Sequence, residues 1–448
     1  MTTPIHDFVR FYADSSPSRL HMPGHKGTNF LGCEPWDITE IDGADNLYDP
    51  RGIIGESQSN AARLFGSAAT LYSTEGSSQC IRAMLYLTLL ARAEGPAARP
   101  LILAGRNAHK AFLTAAALLD LDVCWLYPQN DRYSLCRCDI PPAYLDDMLT
   151  RHPGAAAVYL TSPDYLGNTA DIKSLAEVSH RHHVPLLVDN AHGAYLRFLS
   201  PSLHPLDLGA DLCCDSAHKT LPVLTGGAYL HISHNLPSIY ASNACHAMSM
   251  FGSTSPSYLI LQSLDLCNLY LDKNYPQKLT ETIQHLTALK SNLSQKNWQF
   301  AGDEPLKLTI SAHPSGYTGP ELADLLQSEG IHPEYADPDY LVLMPTPETP
   351  PEALRQLESA LINLLPRPPL SHRLPALRPP QQLLTLRQAL FSPSEKLSIT
   401  DSVGRTLAGL SVSCPPAVAP AVPGEVLTEN TVEIYRYYGV ETISVLKM

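Results

Sequence analysis

Short apolar runs alternate with amphipathic segments through the first half of the chain. The runs are rich in leucine, valine and alanine, and glycine, proline or polar residues bound them, which is typical of buried strands. The segments between them carry the spacing of helices. This alternation predicts an α/β domain with a mainly parallel, doubly wound sheet. The predicted strands are 69–73, 100–104, 123–127, 155–161, 184–189 and 211–214.

The pattern changes after residue 259, where a long amphipathic stretch to about Lys296 predicts a connecting helix. Shorter strands and helices up to about residue 365 predict a small α+β domain. The proline-rich stretch that follows predicts an extended connector. We therefore predict five segments: an N-terminal arm (1–30), a large domain (31–270), the small α+β domain (271–365), the connector (366–382) and a C-terminal domain (383–448).

Side chains with catalytic potential stand just past the ends of the predicted strands. Gly-Ser-Ser at 76–78 opens a helix, and His109 follows the second strand. Asp189 ends the fifth strand, and Lys219 follows the sixth. In a parallel doubly wound sheet the carboxyl ends of the strands form one edge, where ligands bind. We expect these side chains to converge there.

The residue types at this edge suit pyridoxal phosphate. A lysine after a strand can form a Schiff base, and a buried aspartate can pair with a pyridinium nitrogen. A glycine followed by hydroxyls at a helix start can hold a phosphate, and an imidazole can stack on a flat ring. Each feature also has an ordinary alternative: a loop lysine, a serine helix cap or a loop histidine. Their common position favours the cofactor site.

Three motifs, in this order, resemble the ornithine/lysine/arginine decarboxylases. They are His21-Met-Pro-Gly-His-Lys-Gly27, Leu187-Val-Asp-Asn-Ala-His-Gly193 and Asp215-Ser-Ala-His-Lys-Thr-Leu221. The resemblance is nearest to the shorter branch of that family, and it runs from about residue 5 to about 270, more faintly beyond. It implies a pyridoxal-phosphate enzyme of the aspartate-aminotransferase fold type. The implied reaction converts a basic amino acid to CO2 and a diamine or agmatine.

The resemblance also implies roles for individual residues. Lys219, Asp189 and His109 would be catalytic: the lysine holds the cofactor, the aspartate keeps its ring nitrogen protonated, and the histidine covers one ring face. The other implied cofactor contacts are Ser77, Ser78, Ser216 and His218 at the phosphate, His192 near the ring, and Ser253 and Thr254 at the phosphate of a partner subunit. A homodimer or larger homo-oligomer with shared sites follows from the last two.

Several positions depart from the family pattern. Glu75 stands where asparagine is common, Asp164 replaces a threonine, Asn190 replaces a glutamate, and Ala417 replaces a glycine. They leave open a narrowed substrate range or a regulatory paralogue that keeps the cofactor. The cofactor residues would equally support transamination or aldol cleavage. Arginine is the favoured substrate, because the shorter branch includes arginine decarboxylases, but the sequence does not separate it from lysine or ornithine.

An acidic block at 37–50 has two interpretations. Its carboxylates, among them Asp42 and Asp45, either shape a turn-rich loop or attract a cationic substrate to the mouth of a site.

Composition narrows the class of protein further. The 448 residues carry a net charge of −13, which disfavours a nucleic-acid partner. The ten cysteines lack zinc-site spacing and suit reduced thiols in the cytoplasm. The N-terminus is too polar for a signal peptide, and the longest apolar stretch, 83–93, is too short for a membrane span. We expect a cytoplasmic enzyme without a metal or a membrane partner.

Overall fold

A computed structural model describes residues 1–91, 99–129, 137–371, 376–410 and 418–447. Its strands in chain order are β1 (Ala69–Ser73), β2 (Leu101–Gly105), β3 (Asp122–Leu126), β4 (Ala155–Thr161), β5 (Leu186–Asp189), β6 (Leu212–Asp215), β7 (Ala228–Ile232), β8 (Gln299–Ala301), β9 (Leu308–Ser311), β10 (Tyr335–Ala336), β11 (Tyr340–Leu343), β12 (Ser394–Ser398) and β13 (Thr442–Leu446).

Its α-helices in chain order are α1 (Pro4–Asp14), α2 (Ile53–Phe65), α3 (Ser77–Leu90), α4 (Lys110–Leu118), α5 (Pro142–Arg151), α6 (Ile172–Arg181), α7 (Ala217–Thr220), α8 (Ser238–Ser242), α9 (Ala244–Ser249), α10 (Tyr258–Lys273), α11 (Tyr275–Ser294), α12 (Gly319–Ser328), α13 (Pro351–Asn363), α14 (Leu386–Leu390) and α15 (Glu429–Tyr437). The predicted strands and helices are present, with ends shifted by one or two residues in most cases.

The predicted connecting helix after residue 259 is two helices, α10 and α11, with Asn274 between them. Pro276 explains the break. Its ring nitrogen cannot donate to a carbonyl one turn earlier, so it suits the first turn of a helix and not the middle.

The described chain divides into two compact units. The first comprises Met1–Ala98, Asp146–Leu160 and Asp171–Gln277. The second comprises Arg99–Leu145, Thr161–Ala170 and Lys278–Met448. This division into compact units does not test the five segments predicted from the sequence, so their boundaries remain a prediction.

Unit 1 is built on strands in the order β1-β7-β6-β5-β4. β5 and β6 are parallel. Parallel neighbours require the chain to cross back to the same end of the sheet, which it does through helices or long loops in an α/β fold. β7 runs antiparallel to both β6 and β1. The connection from β6 to β7, residues 216–227, returns directly along the sheet, which only an antiparallel pair permits. The strands are almost wholly buried, as their apolar runs predicted.

Unit 2 contains the parallel pair β2–β3 and an antiparallel sheet in the order β10-β11-β9-β8. An antiparallel pair, β12–β13, lies near the C-terminus. Arg106 forms a bidentate ion pair with Glu425 inside this unit, with N–O distances of 2.8 and 2.7 Å, and both side chains are fully buried. Removing one partner of such a pair typically costs about 3–5 kcal/mol, since the other charge remains buried.

Candidate active site

The strand register of unit 1 places four strand ends in one line. Asp189 at the end of β5 lies opposite Cys214, and Asp215 at the end of β6 lies opposite Tyr229 of β7. At the end of β1, Ser73 lies opposite Ala228, where β7 begins. The segments that follow β1, β5 and β6 therefore leave the sheet at the same edge, which confirms the expected fold geometry for this part of the chain.

Asp189 is 2% exposed, and three groups donate to its carboxylate, of which the Cys214 thiol, 3.7 Å from one oxygen, is the most distant. The Tyr159 hydroxyl donates to one oxygen at 3.1 Å, and the backbone N–H of Ala191 donates to the other at 3.1 Å. A buried carboxylate that accepts these hydrogen bonds at a strand tip keeps a fixed direction. It can bind one further cationic N–H group, such as a pyridinium.

Lys219 and His192 form the second part of the site. The Lys219 Nζ atom lies 3.1 Å from the His192 Nε2 atom. Lys219 stands in the one-turn helix α7 directly after β6, and His192 follows the tip of β5. Lys219 is half-buried, so its amine can reach a ligand, whereas His192 is 6% exposed. The pair can exchange a proton at this distance.

The third part of the site is a pair of hydroxyls at the start of α3. The Ser216 hydroxyl donates to the Ser77 hydroxyl at 2.8 Å, and both side chains are buried. The helix begins after Gly76, whose φ of 72° lies in the left-handed region that glycine accepts readily. Within the described residues no side chain caps this helix, so the alternative of a serine cap does not apply. Ser78 is half-buried in the first turn.

His218 has a structural contact in the β6–β7 connection. Its Nδ1 atom lies 3.0 Å from the Gly227 carbonyl oxygen, so Nδ1 carries a proton. Burial lowers the pKa of His218, and the nearby Lys219 ammonium lowers it further. The neutral ring then presents a lone pair at Nε2, which cannot donate to a phosphate. Its predicted phosphate contact remains a prediction with weaker support than that of Ser77 and Ser216.

His109 belongs to unit 2. It precedes α4 as the N-cap residue, and its Nδ1 atom accepts a hydrogen bond from the Ala111 backbone N–H at 3.2 Å. This contact fixes the ring near the end of β2. Its role as a cover for the cofactor ring remains a prediction.

The segment with Ser253 and Thr254 is exposed in the single chain. The backbone N–H of Ser253 donates to the Glu75 carboxylate. The Glu75 carboxylate therefore has a hydrogen-bond donor within the chain. This contact gives a structural reason for a carboxylate next to the helix start that is proposed to bind the phosphate. The predicted contact of Ser253 and Thr254 with a partner subunit's cofactor remains a prediction.

The acidic block contains a carboxylate with a structural role. Asp45 accepts hydrogen bonds from the backbone N–H groups of Gly52 at 2.8 Å and Ile54 at 3.0 Å, at the start of α2. Its other oxygen accepts from the Arg51 backbone N–H at 3.0 Å. These contacts favour the turn-shaping interpretation for Asp45 over attraction of a cationic substrate. Asp42 stays open to either interpretation.

Asp164 is 3% exposed and turned into its own loop in unit 2. It accepts hydrogen bonds from the backbone N–H groups of Leu166 and Asn168, both at 2.9 Å. Burial raises the pKa of Asp164 to about 7 against the lowering effect of these donors. The departure from the family threonine is thus a loop-building substitution. Ala417, another departure, lies outside the described residues.

Glu304 lies beside Asp164 in the same unit and is also buried, at 3% exposure. Among the described residues its Oε2 atom has no hydrogen-bond partner. Burial raises the pKa of Glu304 from 4.5 to about 7, although the nearby Lys307 ammonium lowers it. The folded protein therefore binds more protons than the unfolded chain between these two values, and stability falls as the pH rises through that window.

We expect Glu304→Gln to flatten this pH dependence, because the amide cannot ionise. Urea unfolding at several pH values between about 5 and 8 measures the effect. The wild-type free energy of unfolding should fall more steeply with pH than that of the variant. Glu329→Gln, at an exposed position after α12, is the matched control and should keep the wild-type slope. The same slope in Glu304→Gln and the wild type would refute the role of Glu304.

Comparison with solved structures defines the class of fold. The constitutive lysine decarboxylase of E. coli matches with a TM-score of 0.79 at 18% sequence identity, over 100% of this chain and 82% of that chain. At this identity the likeness concerns the fold alone. The predicted aspartate-aminotransferase-like α/β fold is confirmed.

Comparison of sequences defines the family. The family model described as Orn/Lys/Arg decarboxylase, major domain, matches residues 3–309. This protein belongs to the Orn/Lys/Arg decarboxylase family and is a decarboxylase. An arginine decarboxylase of Bacillus subtilis (strain 168) is 29% identical over 465 residues, covering 96% of this chain and 92% of the relative. An arginine decarboxylase of Halalkalibacterium halodurans is also 29% identical, covering 97% and 93%.

The length of the match extends the resemblance seen in the motifs. Both relatives align with nearly the whole chain, including its C-terminal part, where the sequence motifs are faint. Among the described helices, none combines the length and apolar character that a membrane crossing requires.

Proposed function

We propose that the protein decarboxylates a basic amino acid, arginine before lysine and ornithine, with pyridoxal phosphate held at the strand edge of unit 1. The observation that carries the proposal is the common position of Asp189, Lys219 and the Ser77–Ser216 pair at one edge of one sheet. Family membership supports the reaction class. The relatives named arginine decarboxylase support the order of substrates.

The residues at this edge fit the chemical groups of the cofactor. Asp189 offers a buried carboxylate to the ring nitrogen, and Lys219 offers an amine to the aldehyde carbon. The start of α3, with Ser77 and Ser216, offers hydroxyls, backbone N–H groups and a helix dipole to the phosphate. When bound, pyridoxal phosphate supplies an electron sink for the pair released from a breaking Cα bond.

Each side chain of the site then has a defined task. The negative charge of the Asp189 carboxylate would hold a proton on the ring nitrogen, and its hydrogen-bond donors fix its direction. His192 can accept a proton from Lys219 Nζ across 3.1 Å, which leaves a neutral amine. The same Lys219–His192 pair can return a proton to Cα after CO2 leaves.

The proposal includes a homodimer with shared sites and a cytoplasmic location. The exposure of the segment with Ser253 and Thr254, beside Glu75 and the start of α3, supports a contact with a second copy. The thiols of Cys33, Cys80, Cys138, Cys213, Cys214 and Cys245 are free, which supports a reducing compartment.

Release of CO2 from carboxyl-labelled amino acids tests the proposed reaction. We expect release from arginine, lysine or ornithine in the presence of pyridoxal phosphate, with arginine fastest, and formation of the matching amine. Norleucine is the matched control, since it has the chain of lysine without the distal amine. Release from norleucine at the rate of lysine would contradict selection of basic substrates. No release from any of the four would contradict the proposed function.

A further inference from the structure

A closed polar network lies beneath the strand edge of unit 1. Its centre is the Asp215 carboxylate at the end of β6, which is 0% exposed. One oxygen accepts from the Asn190 side-chain amide at 2.7 Å. The other accepts from the Nε2 atoms of His204 at 3.1 Å and His231 at 3.2 Å. Both imidazoles and Asn190 are likewise 0% exposed.

The network involves four neighbouring strands of the sheet, β1, β7, β6 and the end of β5. His231 lies on β7, and its Nδ1 atom is 2.8 Å from the hydroxyl of Thr70 on β1. The ring of Phe65 covers His231, with ring centroids 4.4 Å apart. Asn190 directly follows β5. The Asp215 carboxylate thus connects side chains from four elements in a place without solvent access.

The hydrogen-bond pattern indicates neutral imidazoles around an ionised carboxylate. Burial would raise the pKa of Asp215, but His204 and His231 lower it below its ordinary value. Burial lowers the pKa of His231. Three strong donors on one carboxylate need no further counterion.

The same three side chains have the composition of a metal site, since His204, Asp215 and His231 bring one ligand atom each within 4.8 Å of the others. The tautomer of His204 argues against that use. Its Nδ1 atom accepts the Leu206 backbone N–H at 3.4 Å, so the proton of the neutral ring is on Nε2, the atom that faces Asp215. A protonated nitrogen donates a hydrogen bond and cannot bind a metal ion.

We propose that Asp215 is a positioning residue that fixes the spacing between the tips of β5 and β6. The proposal rests on the proposed function, because the β5 tip carries Asp189 and the β6 tip leads to Lys219. The backbone hydrogen bonds between β5 and β6 end with the one from the Asn190 N–H to the Cys214 carbonyl oxygen, at 3.0 Å. The contact between Asn190 and Asp215 continues the connection by one residue, up to the point where the site begins.

Cofactor affinity measured by equilibrium dialysis of pyridoxal phosphate against the full chain tests the positioning role. Asp215→Ala removes the link, and we expect binding to weaken at least roughly tenfold, within the coupling energies seen in hydrogen-bond networks. Asp211→Ala is the matched control. Asp211 is a buried aspartate at the opposite end of β6, paired with His180 at 2.9 Å and the Leu186 N–H at 2.8 Å. We expect it to lower thermal stability but to leave cofactor affinity unchanged.

A conservative variant separates the link from the charge. In Asp215→Asn the new amide can donate to Asn190, whose Oδ1 atom has no partner among the described residues, once the Asn190 amide turns over. We expect Asp215→Asn to recover most of the affinity that Asp215→Ala loses. Equal affinity in Asp215→Ala and the wild type would overturn the positioning role and leave the proposed function standing.

Two further outcomes are decisive. A wild-type protein that does not bind pyridoxal phosphate would overturn the proposed function, and the positioning role with it. A stoichiometric metal ion in the purified protein, lost in His204→Ala, would overturn the hydrogen-bonded network. Where Asp215→Ala does not fold, Asn190→Ala cuts the same link from the other side. It should weaken binding by a similar factor, and unchanged binding would count against the proposal.

Discussion

Lys219→Ala is expected to abolish decarboxylation, with a fall in kcat of at least about a thousandfold, because no other group on the β6 tip can hold the aldehyde carbon and move the proton. The loss should appear in CO2 release and also in the visible absorption of the bound cofactor. The protein should stay folded, since Lys219 is half-buried and, among the described residues, its Nζ atom has a single hydrogen-bond partner, His192.

Lys273→Ala is the control for Lys219→Ala. Lys273 is exposed in the last turn of α10 within the same unit, so the variant should keep wild-type activity and absorption. Activity in Lys219→Ala near the wild-type level would show that another lysine holds the cofactor.

Asp189→Asn is expected to lower kcat by roughly a hundredfold to a thousandfold, the range found when a group that stabilises developing charge is removed. The amide is nearly isosteric: its oxygen can accept from the Ala191 N–H, and its NH2 group can donate to the Tyr159 hydroxyl, so the fold should be retained. It has no negative charge to hold a proton on the ring nitrogen. The cofactor should still attach to Lys219, so this variant should keep cofactor binding while its kcat falls.

The control for Asp189→Asn is Asp211→Asn, which removes a buried charge at the other end of β6 and should leave kcat near the wild-type value. Both variants are assayed for CO2 release and for thermal unfolding. A wild-type rate in Asp189→Asn would show that the ring nitrogen needs no carboxylate partner here, and the assignment of Asp189 would be wrong.

The main positions of the site could be predicted from the sequence because the sheet determines them. Asp189, Lys219 and Ser77 each follow a short apolar run, and parallel strands bring their carboxyl ends to one edge. The same argument works without knowledge of any long-range contact. Element ends were predictable to one or two residues, because glycine, proline and polar residues mark them.

The polar network around Asp215 could not be predicted in this way. His204 lies in a loop and His231 on an antiparallel strand, and neither stands in a motif with Asp215. Their distances follow from the register of β6 and β7 and from the course of the loop after β5, which no local pattern encodes. In the sequence, Asn190 stands out only as a departure from the family glutamate, and no pattern indicates its contact with Asp215.

Sequence analysis left the role of Asp45 open between two interpretations and did not predict the hydrogen bonds of Asp164. Both carboxylates accept backbone N–H groups from neighbouring residues, and such contacts depend on local backbone angles. Asp45 has a φ of 68°, a left-handed conformation that aspartate adopts more readily than most residues. A dense run of carboxylates has the same appearance in sequence, whether it shapes a loop or attracts a ligand.

Identification of the lysine that carries the cofactor tests the central claim most directly. The purified protein is loaded with pyridoxal phosphate, reduced with borohydride and digested, and the labelled peptide is sequenced by mass spectrometry. We expect one label per chain, on Lys219 in the peptide that contains Asp215 and Ser216. A label on a different lysine, or no label in protein that releases CO2 from arginine, would contradict the assignment of the site to this strand edge.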